Sequence, residues 1–599
     1  MSFISKFNSP SSTFYIILLS FALILSMPIM VMQFNNFIKS PNPYSLLSSS
    51  SFLPYDAFGQ YSIAPTAPGG PSLADPNLKA QLVFPGSTKG TTSMAFLAPN
   101  DILVLEKNTG KVNRIVNGKM LSEPVLDVAV ANKIERGLLG IAIAPSLSSD
   151  GKKYVFLYYT QAGGKTDGDE FRGAAPPKGN MVYRYEFTDG KLVNPKQLLQ
   201  LPANPGETAR PDHNGGKVAI GPDGNVYAVI GEVGGHQTEA QNVKGGPSPD
   251  GTGGIMRVTP DGQSIPNSPF GDEPPLSNYF AYGIRNSFGI AFDPLTGKLW
   301  DTENGPNRGD EINLVEPGFN SGWNMIQGFA NDPENAQTSP SSLVKLSKSA
   351  TYSDPDFEWA DPVGPTAITF LNSKYLGPQY QNDIFVGDIN NGNIYHFKLT
   401  ADRTKLLYPD GTPVERTAVT SEKIPLLRFG QGFGGITDLE TGPDGFLYIL
   451  VNNGSIFRIV PASYAAANPT SYSFSSLPSE QQGQGQQKQL TLSTLPANTP
   501  NKVTIVGVKG LQSYEPNPIN IKVGDTVTWI NADVVSHTVT SGKDYDPNKS
   551  GKLFNSGGIL TNGVYQLKFA KPGTFDYFCL FHPDTVSYTH LTRPTICSV

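Results

Sequence analysis

The sequence predicts an all-β protein, a six-bladed β-propeller followed by a small β-sandwich, and three observations point to it. Glycine (62) and proline (51) are abundant while charged residues make up only 16%, a balance that suits a turn-rich β chain better than a helical one. Between residues 76 and 461 an apolar strand closes on a polar residue six times: at Arg114, Arg184, Arg257, Asn313, His396 and Arg458, roughly 55 to 85 residues apart. Turn-plus-strand units such as G-P-D-G-N-V-Y, F-D-P-L-T-G-K-L-W and G-P-D-G-F-L-Y recur between them, the pattern of six four-stranded blades. Beyond residue 500, V-T-I-V-G-V, I-N-I-K-V-G-D-T-V-T-W-I-N and Y-Q-L-K-F alternate with turns as a small sandwich does.

At 599 residues the chain exceeds what one ordinary core organises. Residues 14 to 34 form an apolar run with Lys6 before it and no charge until Lys39. About 20 such residues span a bilayer, and the preceding lysine favours an N-terminus left in the cytoplasm. With no A-x-A cleavage site in view, residues 1–40 read as a membrane anchor in preference to a removed signal, and in either case the remainder is exported. Residues 41–75, rich in Ser, Pro and Tyr, read as a linker. The propeller is expected over 76–461, with a pair of irregular β-sandwiches as the competing arrangement. Residues 462–500 read as a flexible linker and 501–585 as the sandwich. The near balance of 45 basic and 51 acidic residues excludes a nucleic-acid partner. Two cysteines, Cys579 and Cys597, exclude a disulfide framework, and a lone thiol in an exported protein needs a chemical explanation.

The stretch R-P-D-H-N-G-G-K, Arg210 to Lys217, sets His213 between Asp212 and two glycines, just before an apolar strand that ends in Glu232. A loop histidine beside a carboxylate, with glycines that permit close approach, is what a general base facing a polar substrate requires. A hydrogen-bonded loop histidine with no catalytic part is the competing reading of this stretch alone.

Four motifs extend it: E-R-G-L-L-G-I-A (Glu135–Ala142), D-H-N-G-G-K, Y-G-I-R-N-S-F-G (Tyr282–Gly289) and E-N-G-P-N-R-G-D-E-I-N-L (Glu303–Leu314). In this order they resemble the soluble pyrroloquinoline quinone (PQQ) dehydrogenases of the glucose/sorbosone, or aldose sugar, dehydrogenase family. The resemblance implies that His213 takes the hydroxyl proton while hydride leaves the sugar carbon for the quinone. It implies that Asp212 and Glu232 hold and polarise the ring, with Glu232 where the family usually has Asp. It implies that Arg285 and Asn286 bind the quinone oxygens, where a fixed cation stabilises charge on reduction. Gly305 and Pro306 would offer backbone carbonyls to calcium, which takes such hard oxygen ligands. Glu135, placed with the cofactor-binding residues, stands where the best-studied branch has a neutral amide. That branch grips the PQQ carboxylates with a lysine and two arginines, and the corresponding positions here are Asn390, Gly435 and Thr437. Arg210, Lys217 and Arg308 are the candidate substitutes.

The last segment resembles short cupredoxins of the plastocyanin/amicyanin kind, Greek-key sandwiches. His537 in H-T-V-T, with Cys579 and His582 in Y-F-C-L-F-H-P, supplies the two imidazoles and one thiolate of a type 1 copper site. The family's axial methionine would follow at the place held by Thr585. The tail V-S-Y-T-H-L-T-R-P-T-I-C-S-V, residues 586–599, looks like a translated sequencing adapter and is expected not to continue the sandwich, which leaves His590 and Cys597 without meaning.

The expected protein is thus an exported, membrane-anchored oxidoreductase. Its propeller oxidises a sugar or other alcohol with PQQ and calcium, and a tethered copper domain accepts the electrons and hands them to a redox partner protein. Two alternatives stay open: a propeller that binds without catalysing, beside a working copper domain, and a calcium-dependent lactonase-type hydrolase, against which G-I-R-N-S-F-G argues.

Overall fold

The computed structural model describes residues 64–592 apart from 65, 68, 87–89, 149–150, 169–174, 204–210, 307, 415–422, 475–476, 478–489, 492–494, 497, 508–512, 534–536, 543–552, 557–558, 560–562, 571 and 580–585. The apolar run at 14–34 lies outside the described residues. Among the described residues no helix is long and apolar enough to cross a membrane.

Six sheets succeed one another along residues 72–461. Their innermost strands are Thr91–Ala98, Leu138–Ile143, Val218–Ile220, Ser287–Phe292, Pro365–Phe370 and Ile436–Thr441; each touches the next, and the last returns to the first, so the ring closes. Blades one to six are numbered from these strands. In blade six the outermost strand comes from the other end of the domain: Leu78–Pro85 pairs antiparallel with Ser455–Pro461, from Leu78 opposite Pro461 to Pro85 opposite Ser455. This closure fixes the first strand to the last and leaves the ring without a seam.

The six polar residues that mark the repeat all lie on the third strand of their blades, counted outward from the channel. Their positions follow from the turn between strands one and two. Arg114 reaches Asp101 at 2.7 Å, Arg257 reaches Asp223 at 4.0 Å, His396 reaches Asp383 at 2.8 Å and Arg458 reaches Asp444 at 3.5 Å. In blades three and six the G-P-D-G-x-x-Y turn adds a tyrosine hydroxyl to the same carboxylate, Tyr227 to Asp223 at 3.0 Å and Tyr448 to Asp444 at 2.8 Å. The motif is therefore a pin between the first turn and the third strand. Blades two and four depart from it, with Arg184 paired to Asp261 and Asn313 bonded to Glu311.

Both stretches read as linkers are in part built into the propeller. Ser72–Leu73 pairs with Gly430 and Gln431 at the edge of blade five, and the buried Ala64 is bonded to Ile389 and Gly435. Past Pro461, Tyr464, Tyr472, Phe474 and Leu477 pack on the core shared by blades five, six and one. Composition hides this, because a few aromatic side chains inside a polar run are enough to dock it.

The C-terminal sandwich has two sheets. One runs Leu490–Thr491, Gly563–Lys568, Thr526–Asn531, Lys502–Ile505, Tyr514–Glu515; the other runs Ile519–Lys522, Val586–Thr592, Gly573–Phe578, Thr540–Ser541. Trp529, Tyr514, Tyr577, Val503, Val527 and Cys579 fill the space between. The expectation for the tail is corrected here: Val586–Thr592 lies between Ile519–Lys522 and Gly573–Phe578 as a paired strand. An open pair of backbone edges accepts any β-prone segment of the right length, and V-S-Y-T-H-L-T is rich in such residues.

Candidate functional site

The start of a blade's first strand and the end of its second share one edge of the ring, here called the mouth. Glu135, His213 and Arg285–Asn286 directly precede the first strands of blades two, three and four, while Glu232 and Glu303–Gly305 close the second strands of blades three and four. The topology alone brings these residues to the mouth. Gly231 shows how tightly: an added Cβ would lie 2.4 Å from the His213 carbonyl, 2.8 Å from that of Arg285 and 2.8 Å from Asn286 Oδ1. The Glu232 amide donates to Arg285 O at 2.9 Å and the Val233 amide to His213 O at 3.1 Å. The backbone of His213 and that of Arg285 therefore meet at the mouth.

His213 is 2% exposed and sits at φ +59, in the left-handed region. Val233, beside its carboxylate partner, is at φ +48. Such conformations cost about 1–3 kcal/mol each and persist where the surroundings impose them. Here Gly215 and Gly216 seat the loop: an added Cβ would meet Val229 O at 2.6 Å or Leu139 Cβ at 2.5 Å. Nδ1 of His213 is bonded to Glu232 Oε1, and the other oxygen of Glu232 accepts the Gly235 amide. With Nδ1 donating to Glu232, the lone pair stands on Nε2, which is buried and has no hydrogen-bond partner. Asp212 stands at the ring's other nitrogen, its Oδ2 3.8 Å from Nε2, so the two carboxylates flank the imidazole.

Glu135 and Asn286, expected on the cofactor, brace the His213 loop. Oε2 of Glu135 accepts the amides of His213 at 2.5 Å and Asn214 at 3.3 Å and the Asn286 side chain at 3.2 Å, and Asn286 Oδ1 accepts the Gly215 amide at 3.2 Å. Arg285 lies over Trp323 at 5.4 Å, and its Nη1 donates to the carbonyls of Asn304 at 2.7 Å and Gly305 at 3.1 Å. Its Nε is buried without a partner. The Gly305 carbonyl expected to hold calcium thus already faces a guanidinium, and Pro306 is exposed. Gly305 is itself pinned by its amide to Asp310, a carboxyl that burial pushes up to about 6 against the pull of three backbone amides. Trp323 and the bracing role of Glu303, which binds the Arg285 amide at 2.6 Å and Ser321 at 2.6 Å, were not foreseen. Glu303 lay in a quoted motif, but nothing in the sequence marks Trp323.

None of the described substitute cations is free for carboxylates. Lys217 crosses the central channel from blade three to blade six, 2.5 Å from Asp438 and 3.1 Å from Glu440. Burial works against its charge, yet the two acids hold it well above the ordinary lysine range. Arg308 is paired with Asp332 at 3.2 Å, and Arg210 lies outside the described residues. Where the last two blades would supply cations, the N-terminal strap runs instead: Ala64 N donates to Ile389 O, Gly435 N to Ala64 O, and Thr66 Oγ1 to Phe433 O. Two orphaned groups, the acceptor His213 Nε2 and the donor Arg285 Nε, fit a ligand that carries both a hydroxyl donor and an acceptor oxygen in the sector of blades two to four. The sector of blades five and six does not fit a trianion.

In the sandwich, His537 is fully buried, with Nε2 2.7 Å from Asp533 Oδ2. Burial opposes its protonation, but Asp533 and a hydrogen bond with Cys579 raise it to about 9. The Cys579 sulfur also accepts the Thr538 amide at 3.2 Å. Ring and thiol thus face each other as two ligands of one ion would. His582 lies outside the described residues, among which no group of three His, Cys, Asp or Glu side chains is arranged for a metal.

A propeller with a buried, carboxylate-held histidine at its mouth and an imidazole–thiol pair in a following sandwich defines a two-domain oxidoreductase class. The family model for glucose/sorbosone dehydrogenases matches residues 89–458, and that for copper-binding proteins of the plastocyanin/azurin family matches residues 501–589. The chain belongs to the glucose/sorbosone dehydrogenase family and carries a plastocyanin/azurin-type copper domain. Aldose sugar dehydrogenase YliI of Escherichia coli is 27% identical over 375 residues, 62% of this chain and 89% of the relative. Amicyanin of Paracoccus denitrificans is 37% identical over 71 residues, 12% of this chain and 51% of the relative. The crystal structure of the soluble aldose sugar dehydrogenase from Escherichia coli in the apo-form aligns with a TM-score of 0.49 at 22% identity, over 64% of this chain and 99% of that one.

Proposed function

We propose that the protein is an exported, membrane-anchored dehydrogenase that oxidises a sugar or other alcohol at the propeller mouth and delivers the electrons to its copper domain. The observation that carries this is the orphaned, buried Nε2 of His213, whose partner nitrogen is committed to Glu232. A base so held accepts the substrate's hydroxyl proton at Nε2 without losing its orientation. Arg285 offers the mouth a fixed cation, and Glu135 and Asn286 keep the loop in its strained form. Bound PQQ would supply the two-electron, hydride-accepting chemistry, with Arg285 the cation that would face it; calcium at the Gly305 and Pro306 carbonyls would have to displace the guanidinium that Gly305 now faces. Copper held by His537, Cys579 and His582 would supply one-electron chemistry.

The test is to add PQQ with calcium to the purified protein and follow dye reduction with a panel of aldoses. Turnover that requires both supports the reading. Absence of PQQ binding favours the second reading, a binding propeller with copper electron transfer alone, which the missing cations at Asn390, Gly435 and Thr437 support.

A further inference from the structure

Lys107 has no part in the site described above, yet it grips the loop that carries Glu135. It is the first residue after Asp101–Glu106, the second strand of blade one, so topology sets it at the mouth. Its ammonium donates to three carbonyls of the loop that enters blade two: Asn132 O at 3.4 Å, Ile134 O at 2.7 Å and Arg136 O at 2.9 Å. In an extended chain the outer two of these oxygens would lie ~13 Å apart, beyond the reach of one nitrogen. The loop is therefore curled around Nζ. Ile134, a β-branched residue at φ +53, takes the left-handed turn that the curl requires.

Two further features bind Lys107 to this loop. Its own carbonyl accepts the Leu138 amide at 2.9 Å, where the loop becomes the first strand of blade two. Gly137, at φ +148, lets the two segments meet: an added Cβ would lie 2.4 Å from Lys107 O and 2.6 Å from Lys107 Cγ. Three carbonyl dipoles turned toward one point repel each other, and a cation with three N–H donors answers all of them. Glu135 stands between the second and third of these carbonyls. Its side chain leaves toward the His213 loop, where Oε2 accepts the amides of His213 and Asn214.

We propose that Lys107 is a positioning residue for His213: its ammonium holds the 132–136 loop curled, the curl aims Glu135, and Glu135 fixes the left-handed backbone from which the His213 ring is presented. The effect on turnover rests on the proposed dehydrogenase reading; the effect on the two loops does not.

The test compares the full chain with Lys107→Met, Lys107→Gln and Lys107→Arg by hydrogen–deuterium exchange. The amides of His213 and Asn214, whose acceptor is Glu135, should exchange about ten-fold faster in the methionine variant. The arginine variant, which keeps the charge and several donors, should stay within about three-fold of the parent. Peptides of blades five and six report that the ring is intact, and where Lys107→Met fails to fold, Lys107→Gln is read in its place. Loosening confined to 132–137, with His213 and Asn214 at the parent's rate, would overturn the proposal and leave Lys107 a local cap. In the protein supplied with PQQ and calcium, the methionine variant should lose about ten-fold in kcat with KM within about two-fold, and the arginine variant should recover it. An unchanged kcat beside loosened amides, or an equal loss in the arginine variant, would overturn the assignment to His213. Loosening of both loops by Lys107→Met in a protein whose parent never turns over would keep the clamp and remove the dehydrogenase reading.

Discussion

The backbone amide of His213 donates to Glu135 Oε2 at 2.5 Å, tying the loop before blade three to the loop before blade two. The same oxygen binds Asn214 and the side chain of Asn286, so one carboxylate coordinates the loops of three blades. Glu135→Ala leaves those donors buried without an acceptor. We expect a loss of ~2–3 kcal/mol in stability together with a lower kcat, read by denaturant melts and steady-state assays. An unchanged melt would show that the loops are held from elsewhere.

His213→Gln should abolish turnover in the PQQ- and calcium-supplemented protein while leaving quinone affinity within about two-fold, because the base acts on the substrate proton. Titration of quinone fluorescence separates the two effects, and a variant that fails chiefly to bind quinone would assign His213 to the cofactor.

Lys217→Met should cost ~3–5 kcal/mol. It removes the cation that faces the buried Asp438 and the half-exposed Glu440 across the channel and leaves the two acids opposed to each other. Lys217→Met combined with Asp438→Leu and Glu440→Gln should recover most of the loss in a chemical melt; failure to recover would place the damage in packing.

Burial raises Glu358 from 4.5 to about 8, with Asp332 adding to the rise and Arg308 opposing it. The folded state therefore holds a proton that the unfolded chain gives up above pH ~4.5. This side chain's unfavourable contribution is absent below pH 4.5, grows as pH rises, and is complete above about 8. Glu358→Gln should match the parent's melting temperature near pH 4.5 and exceed it by several degrees at pH 9. A difference independent of pH would refute the linkage.

Cu(II) added to the purified protein should give an intense blue absorption that Cys579→Ser and His537→Ala each abolish, since a type 1 site needs both a thiolate and an imidazole on the ion. Thr585→Met should shift the reduction potential, read by redox titration. No shift would mean that position 585 does not approach the copper.

The blade count was legible because Asp101, Asp223, Asp383 and Asp444 each pin a third strand, and a repeated pin leaves a repeated letter. His213, Glu232 and Arg285 were legible because they sit in motifs at strand ends, where topology gathers them. The posts of Asn286 and Glu135 were not, since a side-chain amide can face a ligand or a backbone with the same sequence around it. Lys217 looked available until the channel placed Asp438 opposite it. The strap and the docked linker were hidden because Ala64, Gly70 and Phe474 act by fit, and fit leaves no period in a sequence.

Leu78–Pro85 can pair only after Ser455–Pro461 has left the ribosome, so nearly the whole domain is made before its first strand finds its place. At some 5–20 residues per second that wait lasts tens of seconds. Throughout it, Leu78–Pro85 presents a bare backbone edge to the cell, which can zip onto the exposed edge of a neighbouring chain. Synthesis therefore favours widely spaced translation or a chaperone at Leu78–Pro85, and shortening the chain anywhere before Pro461 would yield aggregates in place of a smaller propeller.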